Sequence, residues 1–244
     1  GGFESALFQL AFEQFPAGNP VYGTLLAQKQ PERITTEMIA AVTPAPEIHS
    51  VGGLEPGKTY RYRIMQQAVL SDEGNKRVVL GEGYGSDILK HAPYPVTTPS
   101  ADRNELEFWM VNDIHGRDSV FRLLIGDAPR QKPDFVCLNG DLLNSIESEK
   151  ALFEGFLASA SELLTPAGIP LVVTRGNHDG RGKFARHWLD YFPTPTGESY
   201  YTFRRGPVFF VVLDGCEDKP DSDIRYYGLS TADAYREQQA QWLR

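Results

Sequence analysis

Leu171-Val172-Val173-Thr174-Arg175-Gly176-Asn177-His178-Asp179-Gly180 is the stretch whose reading decides the fold. Its first four residues are apolar and β-branched, the composition of a buried strand. The strand stops at a glycine, and three side chains able to bind metal or move protons follow before the next glycine. Two earlier stretches share the design. Glu107–Val111 runs into Asn112-Asp113-Ile114-His115-Gly116, and Asp134–Leu138 runs into Asn139-Gly140-Asp141. In open α/β sheets ligands collect at the carboxyl ends of strands. Three such ends in order, separated by helix-like segments, predict one shared site.

Residue chemistry suggests what that site holds. Asp113 and His115 lie two apart and project to the same side of an extended segment, where they can bind one metal. Asp141 has two oxygens and can bridge two metals, and Asn177 can offer an amide oxygen to the second. Metals about 3.5–4 Å apart would clamp a phosphate and activate water. His178 can give a proton to a leaving oxygen, with Asp179 expected to hold its ring.

Asp113-x-His115, Gly140-Asp141 and Gly176-Asn177-His178-Asp179, in that order, resemble the motifs of the calcineurin-like metallophosphoesterase superfamily. The resemblance runs from about Glu105 to the C-terminus. It implies an α/β metallophosphoesterase sandwich that hydrolyses a phosphate ester or anhydride with two metal ions: Mn, Fe or Zn. In that scheme Asp113 and His115 take one metal, Asp141 bridges, Asn177 takes the second, and His178 acts on the leaving group, while Asp179 joins it as a catalytic candidate from residue chemistry alone. The family supplies further histidines downstream, whereas none follows His187 here. The expectation is therefore a domain over 101–244 that stops before its last ligands. Purple acid phosphatases carry a tyrosine where Asn144 stands, so their chromophore is not expected.

Residues 1–100 alternate short apolar stretches with Gly, Pro, Asn and Asp, which favours an all-β sandwich. Leu54-x-Pro56-Gly57-x-x-Tyr60-x-Tyr62 resembles the turn and following strand of fibronectin type III domains, and such a module ahead of the second domain resembles the layout of purple acid phosphatases. Tyr60 and Tyr62 are expected in its core. Ala6–Phe12 fits strand or helix equally. Ser71–Asn75 reads as a hairpin turn, Gly81–Ser86 as a loop and His91–Asn104 as an edge strand entering a stiff linker.

In the second domain Val120, Leu123 and Leu124 recur at helical spacing after Asp118-Ser119. Phe153, Phe156, Leu157, Ala160 and Leu164 form a core stripe within a helix over Glu147–Leu164. Tyr200–Phe203 and Val208–Leu213 read as a hairpin around Gly206-Pro207, Asp214 can face the site, and Thr231–Arg244 begins a helix. His49, His91 and His187 read as packing or solvent-facing, and Arg117, Arg175 and Arg181 as solvated.

The net charge of −8 and pI near 5.2 argue against a broad nucleic-acid or anionic-membrane surface, yet permit a phosphate substrate, because bound cations reverse the local sign. No apolar run is long enough for a transmembrane helix. The chain starts Gly1-Gly2, without a signal peptide, and upstream residues are expected to have been removed. The fibronectin-like analogy favours export. Two cysteines make no disulfide framework. A second reading, from the missing downstream histidines, is a non-catalytic binding or adhesion protein with an incomplete phosphoesterase domain.

Overall fold

A computed structural model describes residues 21–29, 33–39, 54–72, 78–85, 92–100 and 102–244. The 6–12 stretch, His49 and His91 lie outside the described residues, as does the centre of the 71–75 turn.

The first half forms an antiparallel sheet. Strands β1 (Val21–Lys29), β2 (Arg33–Ile39), β3 (Thr59–Asp72) and β4 (Val78–Gly85) take the order β2-β1-β3-β4, and β5 (Tyr94–Thr97) joins the near end of β3. The loop expected at 81–86 is, up to Gly85, part of β4. Gly83, Tyr84 and Gly85 pair with Gln67, Gln66 and Met65, so backbone pairing with the long β3 overrides the glycine signal. The expected Pro56-Gly57 turn is present: Gly57 has φ +69°, its amide donates to the Pro99 carbonyl, and Thr98 Oγ1 donates to the Glu55 carbonyl at 2.6 Å. Tyr60 and Tyr62 are buried, as expected, and the Tyr60 hydroxyl accepts from the Glu55 amide at 2.9 Å. The second sheet of a fibronectin-like sandwich is not among the described residues.

The second half is mixed α/β. Strands β6 (Phe108–Val111), β7 (Phe135–Asn139) and β8 (Leu171–Thr174) are parallel and lie in chain order. They coincide with the three predicted strands to within a residue or two. Alternation divides their side chains between two faces. Val136, Leu138, Leu171 and Val173 point to the helical side, where they meet Phe121, Ile125, Phe156 and Leu164. Phe135, Cys137 and Val172 point to the other side, where Phe203 and Phe210 cover them. That cover is the predicted hairpin, β9 (Tyr201–Arg205) and β10 (Val208–Val212). The Phe210 ring meets Phe135 edge-on at 5.5 Å and Phe108 at 5.6 Å. Cys137 and Cys216 are free thiols.

Helix α1 (Asp118–Ile125) follows β6, where the helical spacing predicts it. Val120, Leu123 and Leu124 are exposed, Leu123 at 84%, while Phe121 and Ile125 are fully buried. The helix has apolar residues on both sides, and the larger Phe121 wins the core, meeting Phe156 edge-on. After the short α2 (Ala128–Gln131), α3 (Glu149–Leu152), a π turn at Phe153–Leu157 and α4 (Ala158–Leu164) run on as one helix. Phe156, Leu157, Ala160 and Leu164 of the predicted stripe are buried, whereas Phe153 packs at its margin. The chain then passes through α5 (Trp188–Tyr191) and the hairpin to α6 (Ala232–Leu243). Among the described residues no helix is long and apolar enough to cross a membrane.

Candidate metal centre

Parallel order puts the carboxyl ends of β6, β7 and β8 on one edge of the sheet, so their loops meet. The first two loops are laced together. The Asp113 amide donates to the Gly140 carbonyl at 3.1 Å, His115 to Asp141 at 3.0 Å, and Gly116 to Leu142 at 2.7 Å. The second and third loops touch so closely that glycine is required at both. A Cβ on Gly140, itself at φ +82°, would lie 2.8 Å from Gly176 Cα, and one on Gly176 would lie 2.2 Å from both Asp141 N and Oδ1.

This lacing brings Asp113, His115 and Asp141 together. One ligand atom from each lies within 4.8 Å of the others. All three adopt the left-handed backbone region, at φ +56°, +50° and +52°. For residues with a Cβ that conformation costs about 1–2 kcal/mol each, and such outliers cluster at functional sites. His115 Nδ1 is buried with no hydrogen-bond partner among the described residues, and Nε2 lies 3.6 Å from Asp113 Oδ1. Arg117, expected in solvent, closes the first loop by donating to the carbonyls of Ile114 and Asp113.

Asn177 joins the group from β8. Its amide tip lies 3.2 Å from both carboxylate oxygens of Asp141. With nitrogen at that tip the amide donates to Asp141, and its oxygen accepts from Arg181 Nη2 at 2.8 Å. With oxygen at that tip three acceptors converge, an arrangement that a cation reconciles. Two carboxylates, an imidazole with an unpartnered nitrogen and a nearby amide fit a divalent ion of the Mn, Fe or Zn type.

The ring of His178 stands edge-on to that of His115, with centroids 4.9 Å apart. Its backbone amide donates to Asp141 Oδ1 at 3.1 Å. Asp179 does not hold this ring, contrary to the expectation from sequence. Its carboxylate is fully buried and accepts three backbone amides at 3.0 Å: Leu142 and Leu143 on Oδ1, Gly176 on Oδ2. Asp179 thus ties the second loop to the third. Burial pushes its carboxyl up to about 6, against the opposing pull of those amides. The ring of His178 instead meets the Asn144 carbonyl and the Arg181 guanidinium.

Two arginines expected in solvent form paired clamps. Arg175 Nε donates to the fully buried Asp214 at 2.7 Å, so Asp214 faces this guanidinium. Arg181 Nε and Nη2 donate to Glu217 at 2.8 and 2.7 Å. That pairing holds the Glu217 carboxyl below its ordinary range. The clamps bracket the Asn177–Asp179 motif and fasten it to the loop after β10. Helix α6 secures that loop in turn: Gln239 accepts from the Asp214 amide and donates to its carbonyl. Sequence reading missed Glu217. The available signal was an acidic residue just beyond the Gly-marked strand end Asp214-Gly215, the same design as the other three. The His187 ring lies against Phe184, tilted at 35° with centroids 4.7 Å apart, and its Nδ1 pairs with Asp190 at 2.8 Å.

A family model for calcineurin-like phosphoesterases matches residues 106–240, more than half of the chain. A purple acid phosphatase isolated from yellow lupin (Lupinus luteus) seeds has a similar fold, with a TM-score of 0.56 at 14% identity. That match covers 88% of this chain and 44% of the lupin chain, so this chain spans less than half of that protein's length. No curated protein matches the sequence.

Proposed function

Because the chain belongs to the calcineurin-like phosphoesterase family, we propose that it hydrolyses a phosphate ester or anhydride at a two-metal site. The convergence of Asp113, His115 and Asp141 in left-handed backbone, with a buried imidazole nitrogen left unpartnered, carries this reading. Asp113 and His115 would hold one ion, Asp141 would reach both, and Asn177 would serve the second. When bound, the ions neutralise phosphate charge and lower the pKa of a water nucleophile.

The protein's own groups do the rest. The Asp141 carboxylate is aimed by the His178 amide on one side and the laced loop on the other. His178 lies beside the ligands without belonging to them and gives the departing oxygen a proton. Asp179 is a tie between loops in this scheme. The five-stranded antiparallel sheet stands where a fibronectin-like module over 1–100 would precede the catalytic domain over 101–244, the layout suggested by the sequence pattern at Leu54–Tyr62.

The test is native mass spectrometry after incubation with manganese, followed by hydrolysis of p-nitrophenyl phosphate and its bis-ester. Bound manganese with turnover is expected. Asp141→Asn should abolish both with little change in melting temperature, because Asp141 contributes no apolar packing. Turnover at the wild-type rate in that variant would remove Asp141 from the reaction.

A further inference from the structure

We propose that the cleft between the two halves of the chain binds a small phosphorylated molecule of the sugar-phosphate type, apart from the metal centre. The cleft encloses about 920 Å³, within the range of roughly 300–1,000 Å³ usual for small-molecule sites. One wall belongs to the first half, through Arg61 of β3, Thr97 of β5 and Ser100. The other belongs to the second half, through Lys132, Asp134 and Pro170 ahead of β7 and β8, and Arg205 of β9. The walls touch where Gly168 meets Pro95: a Cβ on Gly168 would lie 2.8 Å from the Pro95 carbonyl oxygen. The metal centre stands at the opposite ends of the same strands. Five residues of β7, at about 3.3 Å each, put roughly 15 Å between the two places.

Charge sets the sign of the ligand. Four cations, Arg61, Arg103, Lys132 and Arg205, line the cleft against three carboxylates, in a chain whose net charge is −8. Two of the carboxylates are already engaged. Asp134 pairs with Arg103 and accepts the Glu107 amide at 2.9 Å, and Glu162 accepts from Arg122 of α1 at 2.6 Å. Glu105 is left to face Arg61, Lys132 and Arg205. Neither Arg61 nor Lys132 has an ion pair among the described residues, and Arg61 Nη1 donates to the Pro93 carbonyl at 3.2 Å. Arg205 is 8% exposed. Burial holds its guanidinium below the ordinary range, against the pull of Asp134 and with added repulsion from Arg103. An anion between these groups offsets both the desolvation and the repulsion, and guanidinium forks match the oxygens of a phosphate. Hydroxyls set the class. Thr59 and Thr97 share one hydrogen bond at 2.9 Å, so the accepting hydroxyl keeps a proton to donate. Ser100 Oγ accepts the Asp102 amide at 3.3 Å and keeps its own proton too. Such groups suit the hydroxyls of a sugar. Among the described residues no aromatic ring lines the cleft, so a nucleobase has nothing to stack on.

Titration calorimetry on the full chain tests this, with a chelator present so that no phosphate is held through a metal. Glucose 6-phosphate is the probe, with inorganic phosphate, glucose and AMP beside it. One glucose 6-phosphate per chain should bind, at least about fivefold more tightly than inorganic phosphate or AMP, because only it uses both the cations and the hydroxyls. Glucose should give no heat of binding. Arg61→Gln and Lys132→Gln, on opposite walls, should each weaken binding about tenfold, the loss of one hydrogen bond to a charged group. Lys150→Gln on α3, outside the cleft, and Asp141→Asn in the metal centre should leave it within about twofold, as expected for distant sites. A circular dichroism melt confirms that each variant folds. No binding of glucose 6-phosphate, or an affinity unmoved in both Arg61→Gln and Lys132→Gln, would overturn the proposal. Equal binding of glucose, inorganic phosphate or AMP would overturn the assigned class. Loss in Asp141→Asn alone would put the ligand at the metal centre and overturn the cleft as its site. The titration needs neither metal nor turnover, so its outcome is independent of the phosphoesterase reading.

Discussion

Replacing Gly176 with alanine tests the geometry of the centre through a single methyl group. The added Cβ would lie 2.2 Å from Asp141 N and Oδ1 and 3.0 Å from Cγ, whereas ordinary contact begins at 3.4 Å. The two loops must therefore separate by roughly 1 Å at a point where backbone, not a flexible side-chain tip, blocks the way. Forced repacking of this kind costs about 1–3 kcal/mol. A ligand displacement of roughly 1 Å is several times the tolerance of about 0.2 Å in a metal shell. Gly176→Ala should thus lose about 1–3 kcal/mol in urea unfolding and bind manganese at least tenfold more weakly by calorimetry. Gly180→Ala is the matched control in the same motif. Among the described residues nothing lies within 4 Å of its added methyl, and its backbone is not left-handed. Its stability and metal affinity should stay within about 0.5 kcal/mol of wild type. If Gly176→Ala matched Gly180→Ala in both assays, the close approach of the two loops would not be what places Asp141.

Asp179→Ala should destabilise the fold by about 3 kcal/mol, read by urea titration at pH 7: three buried amides at about 2 kcal/mol each outweigh the roughly 3 kcal/mol relieved by removing a buried carboxylate with a pKa of about 6. Phe121→Ala should cost about 3–5 kcal/mol, while Leu123→Ser on the opposite side of α1 should be nearly neutral, and equal losses would mean the helix is rotated. Burial raises the Cys137 thiol from 9.0 to about 11. The stabilisation it gives is complete below pH 9 and is lost as pH rises through 11, so stability should fall by roughly 3 kcal/mol over that window and less steeply in Cys137→Ala. Identical pH profiles would contradict that assignment.

The strands and their ends were legible because β-branched runs that stop at glycine are local signals. The parallel order β6-β7-β8 then brings Asp113, His115 and Asp141 together without further instruction. The role of Asp179 was not legible. A carboxylate next to a histidine looks like its partner, but here its three amides come from the loop after β7 and from Gly176. Glu217 escaped notice for a related reason, since it works through an arginine 36 residues earlier in the chain. The orientation of α1 was ambiguous because apolar residues occur on both of its sides, and only the packing against Phe156 decides between them. In β4, glycines read as a loop because propensity is local, whereas pairing with β3 is not.

The left-handed backbone at Asp113, His115 and Asp141 makes metal affinity a property of the whole fold. Three unfavourable conformations, together about 3–6 kcal/mol, are sustained by the loop lacing and by the core beneath it. An arriving ion therefore finds donors already gathered and need not order them. The same arrangement works in reverse. Loosening the core at a residue such as Leu138 would let those three residues relax toward commoner conformations well below the melting point. Weakened metal binding would then be the earliest sign of damage in a protein whose overall secondary structure still looked intact.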